Sequence, residues 1–509
     1  MLQDYRYDRH VKRITVMNAD TLRFIRSEGA LLLSETRREI WENLTGIKTQ
    51  SRLSGIYGQK RDFLEPELVL SCAAYTGADE EEKARNNLLR AFLLSMYLTG
   101  KTASLSDRIL SLEAGQEFSA AGKKLTPRSA EAHILSEPRK SRRDEIDAKS
   151  GEILSGLDTL CLRKLDLLTE CSETLGFGTY GELLEAATGT ILSRAAEEAE
   201  KFIRDTDYIS GEMLEWFLSR KIDVRLKDAS FSDTVFLFNT DELGGYFPKP
   251  DREDFTGKVL GGMNLDPKRA IRFDTAKRAG KAVNGFSLAF GKPLEPGISI
   301  YPLGGVHDYD AILGSLGHAL TYAFTDPEDD FEFVSLRDTR LTDIFSALLG
   351  GLIYEPAWLK RYLKIDSQGD FRKFLNLRRL MRARLEAGRA VCTREVYAAA
   401  EPGSLSEIFS EIMSGAAKCR FDGRKFLTAF LSPVRSPFSF NALLTLPCLR
   451  NFMKESFDEE WWRTSAAGDF LMGIWSVGGR ISSDSLLERC GCVGHRSESL
   501  VRDYEESFR

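Results

Sequence analysis

Apolar residues recur three and four positions apart through most of the first 225 residues. The spacing is clearest in Ala19–Leu44, Asp79–Leu98, Ile146–Glu173 and Tyr180–Arg204. Side chains at that spacing share one face of an α-helix. The pattern therefore predicts a succession of amphipathic helices, and we assign residues 1–225 to an N-terminal helical domain.

The pattern changes near residue 225. Thr234–Asn239 and Gly297–Pro302 are short and rich in β-branched and aromatic residues, which predicts strands. Helical spacing then returns and continues almost to the end of the chain. We expect a mostly α fold with a small β-sheet near residues 230–303, and a second domain over residues 226–509.

The stretch His307–Phe324 organises the second half of the chain. Its apolar positions predict a largely buried helix over residues 310–324. A carboxylate at the start of a helix accepts hydrogen bonds from the free N–H groups of the first turn. We therefore expect Asp308 or Asp310 to cap this helix.

Positions 314, 315 and 318 of this helix correspond in spacing to a metal-binding motif. In His-Glu-x-x-His, the two histidines lie one turn apart and hold one metal, while the glutamate acts as base on the metal-bound water. Here the three positions are Gly314, Ser315 and His318. The spacing of the motif is kept, but most of its chemistry is replaced.

Four features carry a resemblance to a known family. Gly314–Leu320 matches the sequence His-Glu-x-Gly-His-Ala-Leu at its last four positions, and Asp343 follows His318 by 25 residues, where that family has a third zinc ligand. Tyr354–Leu359 and Trp461–Gly491 are similar to later segments of its members. The chain resembles the thimet oligopeptidase and oligoendopeptidase F family of zinc peptidases over most of its length.

The resemblance implies a zincin-like oligopeptidase fold, in which two helical halves enclose a deep channel with a small sheet near its middle. It also implies a zinc metallopeptidase of the gluzincin type, whose channel admits short peptides. Residues 310–324 would be the degenerate active-site helix. A peptide or a protein partner is the expected occupant of the channel.

The departures from the family pattern concern its catalytic residues. Gly314 takes the place of the first zinc-binding histidine, Ser315 that of the catalytic glutamate, and Asp343 that of a longer glutamate ligand. His318 is the one histidine of the motif that remains. A catalytic zinc normally has three protein ligands and a water. His318 and Asp343 are therefore interpreted as a vestigial pair, and we expect no cofactor, or zinc if any metal binds.

A later segment of the family carries histidine and tyrosine side chains that stabilise the oxyanion. The corresponding segment here is Pro433–Asn441, which contains neither residue type. Arg435 within it is a candidate to approach a carbonyl oxygen. Because of these replacements, we assign a catalytic role to no residue of this chain.

Other readings of the same residues stay open. An active peptidase with a rebuilt site would use His307, His318 and Asp343, which requires the loop before the helix to fold back. A serine nucleophile at Ser315 would need a base and an oxyanion hole, and no Gly-x-Ser-x-Gly elbow surrounds it. A purely structural or interaction protein is the third possibility.

Composition excludes several classes of protein. With 70 Lys and Arg against 76 Asp and Glu, the net charge of −6 does not suggest nucleic-acid binding. No apolar run is long enough for a membrane span, and no secretory signal is visible. Eight cysteines, mostly scattered singly, suggest reduced thiols in the cytoplasm, with Cys490 and Cys492 in a structural role.

Two further groups of side chains receive structural interpretations. Arg378, Arg379, Arg382 and Arg384 form a basic helix face, which is expected to be solvated. Three other histidines, His10, His133 and His495, have no spacing typical of metal ligands. Together, the family resemblance and the departures from it imply an oligopeptidase-like protein that is catalytically inactive or severely impaired and is retained for peptide or protein binding.

Overall fold

The structure is a computed structural model. It describes residues 17–73, 79–240, 246–249, 251–291, 294–366, 369–398, 405–425, 428, 430–431, 438–494 and 496–508. The predictions for His10, Arg435 and His495 lie outside these residues.

Helices make up most of the described chain. In order they are α1 (Ala19–Leu44), α2 (Leu53–Gly58), α3 (Pro66–Ala73), α4 (Glu80–Lys101), α5 (Ala103–Gly115), α6 (Pro127–Ser136), α7 (Lys140–Ser155), α8 (Asp158–Thr174), α9 (Tyr180–Thr188), α10 (Leu192–Asp205), α11 (Asp207–Ile222), α12 (Phe231–Leu237), α13 (Arg252–Gly262), α14 (Gly305–Ala323), α15 (Phe331–Ser335), α16 (Thr339–Gly350), α17 (Pro356–Trp358), α18 (Gly369–Ala398), α19 (Leu405–Ala417), α20 (Ser439–Ser456), α21 (Ser465–Ser476), α22 (Ser483–Arg489) and α23 (Ser497–Phe508). The fold is mostly α, as the sequence predicts. Among these described helices, none is long and apolar enough to cross a membrane.

Two small sheets accompany the helices. Strands β1 (Phe118–Ala120) and β2 (Lys123–Leu125) form an antiparallel hairpin. Strands β3 (Arg272–Asp274), β4 (Phe286–Phe290) and β5 (Glu295–Ser299) form a sheet in the order β3-β5-β4, with β3 parallel and β4 antiparallel to β5. The predicted sheet is therefore present, and its strand β4 lies at an edge.

The prediction of a strand at Thr234–Asn239 is wrong. This segment belongs to α12, which begins after a capping box in which Ser230 and Asp233 satisfy each other's backbone N–H groups. A cap of this kind stabilises a helix start by about 1 kcal/mol and here outweighs the β preference of the following residues. The predicted strand at Gly297–Pro302 is confirmed in part, because β5 ends at Ser299.

The four predicted N-terminal helical segments are helical in the structure, one with its predicted bounds and three with changed bounds. The helix predicted over Ala19–Leu44 has those bounds in the structure. Asp79 caps α4 through its side chain. Each of the other two predictions, Ile146–Glu173 and Tyr180–Arg204, divides into two helices, α7 with α8 and α9 with α10. The second break has a local cause, since Gly189 ends α9 with φ +68°, a conformation that favours glycine.

The largest apolar core surrounds α14. Ile312, Leu313, Leu316 and Leu320 of this helix are fully buried. They share the core with the tryptophans of the C-terminal half, including the Trp461–Trp462 pair. The same core extends back to α11, on the other side of residue 225. The division into domains at that residue stays a prediction.

The expectation of a solvated basic face on α18 is wrong for three of its four arginines. Arg378, Arg379 and Arg384 are buried, whereas Arg382 keeps 53% of its side-chain surface exposed. Arg379 pairs with Asp503 at 2.8 Å. Because α18 is packed by neighbouring helices on several sides, its arginines find partners inside the protein instead of water.

The expectation that all cysteines are reduced thiols is wrong at two positions. Cys448 of α20 and Cys492 form a disulfide, which joins the segment before α23 to α20. The other cysteines are buried free thiols, including Cys490. The cytoplasmic location therefore stays a prediction.

Candidate functional site

The site begins at the N-terminus of α14. Gly304 is the N-cap residue, with φ +90°, and the helix starts five residues earlier than predicted, at Gly305. The Asp308 carboxylate accepts hydrogen bonds from the N–H groups of Leu303 and Gly304, both at 3.0 Å. Asp308 therefore fixes the loop that enters the helix, while Asp310 is engaged elsewhere.

One face of α14 is partly exposed, although the rest of the helix is buried. Beyond Gly305, the partly exposed positions of α14 are 307, 310, 311, 314 and 318, and the remaining positions are buried. On α16, the partly exposed positions from 343 onward are 343, 346, 347 and 350. Both sets follow helical spacing. We call these two sets together the exposed strip; it contains Gly314, His318 and Asp343.

The two helices approach most closely at Gly317. A Cβ atom added there would lie 2.2 Å from the carbonyl oxygen of Phe345 in α16. At Gly314 an added Cβ would lie 3.5 Å from Ser346 Oγ, an ordinary contact. Close backbone approach therefore requires glycine at position 317, and the structure contains no such requirement at position 314.

His318 lies at one end of the exposed strip. Its Nδ1 atom is buried and has no hydrogen-bond partner among the described residues, and its ring lies 5.9 Å from that of Tyr322. Burial, and after it the positive charge of Arg37, lowers the pKa of His318 to about 4. The imidazole is therefore neutral at pH 7.

The donor set does not fit a catalytic zinc. His307 lies in the first turn of α14, 11 residues before His318, which places it roughly 16 Å away along the helix axis. Gly314 supplies no donor atom. In the part of the chain that the structure describes, no three His, Cys, Asp or Glu side chains come together as metal ligands. His307, His318 and Asp343 therefore do not form the rebuilt three-ligand site.

The other end of the exposed strip contains an ion-pair network. Asp310 accepts from Arg378 of α18 at 2.8 Å and also pairs with Arg382. Arg378 in turn donates to the hydroxyl of Tyr354 at 2.9 Å. Burial lowers the pKa of His307, although neighbouring carboxylate charge opposes the shift. This end is satisfied by protein partners, which the sequence pattern alone did not indicate.

Sequence reasoning missed the cationic residues beside His318. The guanidinium of Arg37 lies 5.7 Å from the centre of the Tyr322 ring, and that of Arg337 lies 4.8 Å from it. Arg37 belongs to α1 and is almost three hundred residues from Tyr322 in the chain. No local pattern marks such a long-range contact.

Neither a family model nor a curated protein matches this chain in sequence. Solved structures do match. A protein described as an oligoendopeptidase F from Bacillus anthracis str. Ames is 16% identical, with 93% of this chain and 85% of that chain covered and a TM-score of 0.58. PZ peptidase A, solved with an inhibitor, is 14% identical, with 100% and 99% covered and a TM-score of 0.62. A second structure described as an oligoendopeptidase F is 15% identical, with 100% and 98% covered and a TM-score of 0.66. The chain therefore has the oligopeptidase fold of these proteins.

Proposed function

We propose that this protein binds short peptides along the exposed strip and does not hydrolyse them by zinc chemistry. The observation that carries the proposal is the composition of the strip itself. It follows the two helices that hold positions 314, 318 and 343, yet those three positions offer one histidine and one carboxylate where a catalytic zinc needs three ligands. The oligopeptidase fold supports peptides as the ligand class.

The replaced base supports the same conclusion. Ser315 is buried, whereas a general base must reach the attacking water. The positive charge of Arg37 acts on His318 and opposes a cation at that imidazole. A peptide needs neither a metal nor a base in order to bind. Retention of the fold with loss of the ligands is therefore consistent with a binding protein.

The first experiment measures metal content and turnover together. Protein purified with zinc present is expected to retain less than about a tenth of an equivalent of zinc. A three-ligand site would hold zinc tightly, whereas positions 314, 318 and 343 supply only two ligands. A quenched fluorescent peptide library is expected to show no turnover. The positive control is the variant Gly314→His, Ser315→Glu, Asp343→Glu, which restores the donor types of the motif and should retain more zinc than the native protein.

Turnover by the native protein that is abolished both by a chelator and by His318→Ala would overturn the claim of inactivity. The binding claim is tested separately, by fluorescence anisotropy of labelled peptides with the native protein. Dissociation constants below about 1 mM, equivalent to about 4 kcal/mol of binding free energy, are expected for some of them. If none binds in that range, the proposal of peptide binding is wrong.

A further inference from the structure

Two arginines flank the same aromatic ring at the His318 end of the exposed strip. Arg37 of α1 and Arg337, which precedes α16, both lie within 6 Å of the centre of the Tyr322 ring. Tyr322 is in the turn of α14 that follows His318, and its ring is buried. The strip therefore ends beside two guanidinium groups contributed by different parts of the chain.

Neither arginine has an ion-pair partner among the described residues. Arg337 donates to the carbonyl oxygens of Thr321, Phe333 and Leu336 and to the hydroxyl of Thr325. These bonds satisfy its N–H groups without a carboxylate in direct contact among the described residues. Most other buried or partly buried arginines of this protein are paired, as Arg379 is with Asp503.

Arg37 differs from Arg337 because most of its N–H groups have no acceptor among the residues that the structure describes. Its described hydrogen bond goes from Nη1 to the carbonyl oxygen of Ala289 at 3.2 Å. The side chain is partly exposed. A guanidinium has five N–H donors in a planar fork, which matches the two oxygens of a carboxylate. Arg37 therefore keeps donors available for a ligand beside the strip.

The positive charge at this end of the strip also acts on Arg337. Burial lowers the pKa of Arg337 to about 10; the positive charges of Arg37 and Arg269 act in the same direction, whereas Tyr322 and the carboxylate of Asp329 oppose the shift. Arg269 is itself buried, and its Nε and Nη2 atoms have no hydrogen-bond partner among the described residues. An anion bound here would relieve the repulsion between these cations.

We propose that Arg37, supported by the charge of Arg337, binds the carboxylate of a peptide at the His318 end of the strip. The inference rests on the proposed peptide binding and adds to it the chemical group that is recognised. A free peptide C-terminus and an acidic side chain share this chemistry.

The experiment compares three labelled peptides of one sequence on the full-length native protein. One has a free C-terminus, one has a C-terminal amide, and one has the amide with an aspartate as its last residue. A charge-assisted hydrogen bond predicts that the free acid binds at least about 10-fold more tightly than the amide. Tight binding of the aspartate amide would show that Arg37 also binds a side-chain carboxylate.

Arg37→Gln is the test variant, and Arg38→Gln is its matched control. Arg38 is the next residue of α1, is exposed and has no ion-pair partner among the described residues. Arg37→Gln is expected to remove the preference for the free acid, whereas Arg38→Gln retains it. Arg37→Lys is expected to retain part of the preference, because it keeps the charge but loses the fork. A purely structural role for Arg37 would change thermal stability without changing the acid-to-amide ratio.

The outcomes separate this inference from the proposed function. If the native protein binds acid and amide equally, or if Arg38→Gln removes the preference as fully as Arg37→Gln, the inference is wrong while peptide binding stands. If no peptide binds, both are wrong. Should Arg37→Gln not fold, competition on the native protein decides: N-acetylglycine must displace the labelled peptide at least about 10-fold better than its amide.

Discussion

The two glycines of the α14 motif are expected to respond in opposite ways to alanine. At Gly317 the new Cβ would lie 2.2 Å from the carbonyl oxygen of Phe345, so α14 and α16 must move apart by about 1 Å to restore an ordinary contact. Overpacking of this kind destabilises a protein by about 1–3 kcal/mol or more, which exceeds the ~1 kcal/mol that a mid-helix alanine contributes. Gly317→Ala is therefore expected to lower stability.

Gly314→Ala is the matched comparison. Its Cβ meets Ser346 Oγ at 3.5 Å, so the gain in helix preference is opposed by no clash. We expect this variant to be more stable than the native protein by up to about 1 kcal/mol. The opposite signs follow from geometry alone, because the chemical change is identical at the two positions.

Urea unfolding with circular dichroism measures both variants, and tryptophan fluorescence supplies a local probe. Trp475 contacts Phe345 at 5.4 Å between ring centres, so it should report displacement of α16. If Gly317→Ala is as stable as the native protein, the close approach of the two helices is wrong. If Gly314→Ala loses more than about 1 kcal/mol, its surroundings are more crowded than the structure indicates.

Two further predictions concern buried charge. The pKa of His318 is about 4 in the folded protein against an ordinary value of 6.5, so the unfolded chain takes up the proton first as the pH falls. The free energy of unfolding of the native protein should therefore fall by up to about 2 kcal/mol between pH 7 and pH 5 because of this group. His318→Gln should show a smaller fall when both proteins are unfolded with urea at the two pH values. Equal falls in the two proteins would refute the lowered pKa of His318. Arg384 is fully buried and donates to the carbonyl oxygens of Ile203, Gly415 and Ala416, so Arg384→Met should destabilise the protein by about 3–5 kcal/mol. The exposed Arg372 of the same helix is the control, because Arg372→Met should change thermal stability little, and similar losses in the two variants would contradict the prediction.

Local pattern was sufficient for much of the fold. Helical spacing predicts α1 with the bounds that the structure has. The apolar residues of an amphipathic helix recur with the same period whatever the helix packs against. The spacing of His318 and Asp343, together with the segments that follow, indicated the oligopeptidase fold, which the solved structures confirm. The donor atoms at positions 314, 315 and 343 are likewise legible in the sequence, since residue type alone decides which are present, and their correspondence to catalytic positions stays a prediction.

The tertiary structure decided how the charges are arranged. Whether an arginine of α18 faces water depends on the elements packed around that helix, and the helical period does not contain this information. The same holds for Arg37 and Arg337, which meet at Tyr322 from distant parts of the chain, and for the Cys448–Cys492 disulfide. Helix period is a property of neighbouring residues, whereas the counter-charge of a buried group comes from whatever the fold brings beside it. The sequence by itself therefore determined most of the helices and the donor atoms present at positions 314, 318 and 343, and the fold alone placed the guanidinium groups of Arg37 and Arg337 at the end of the exposed strip.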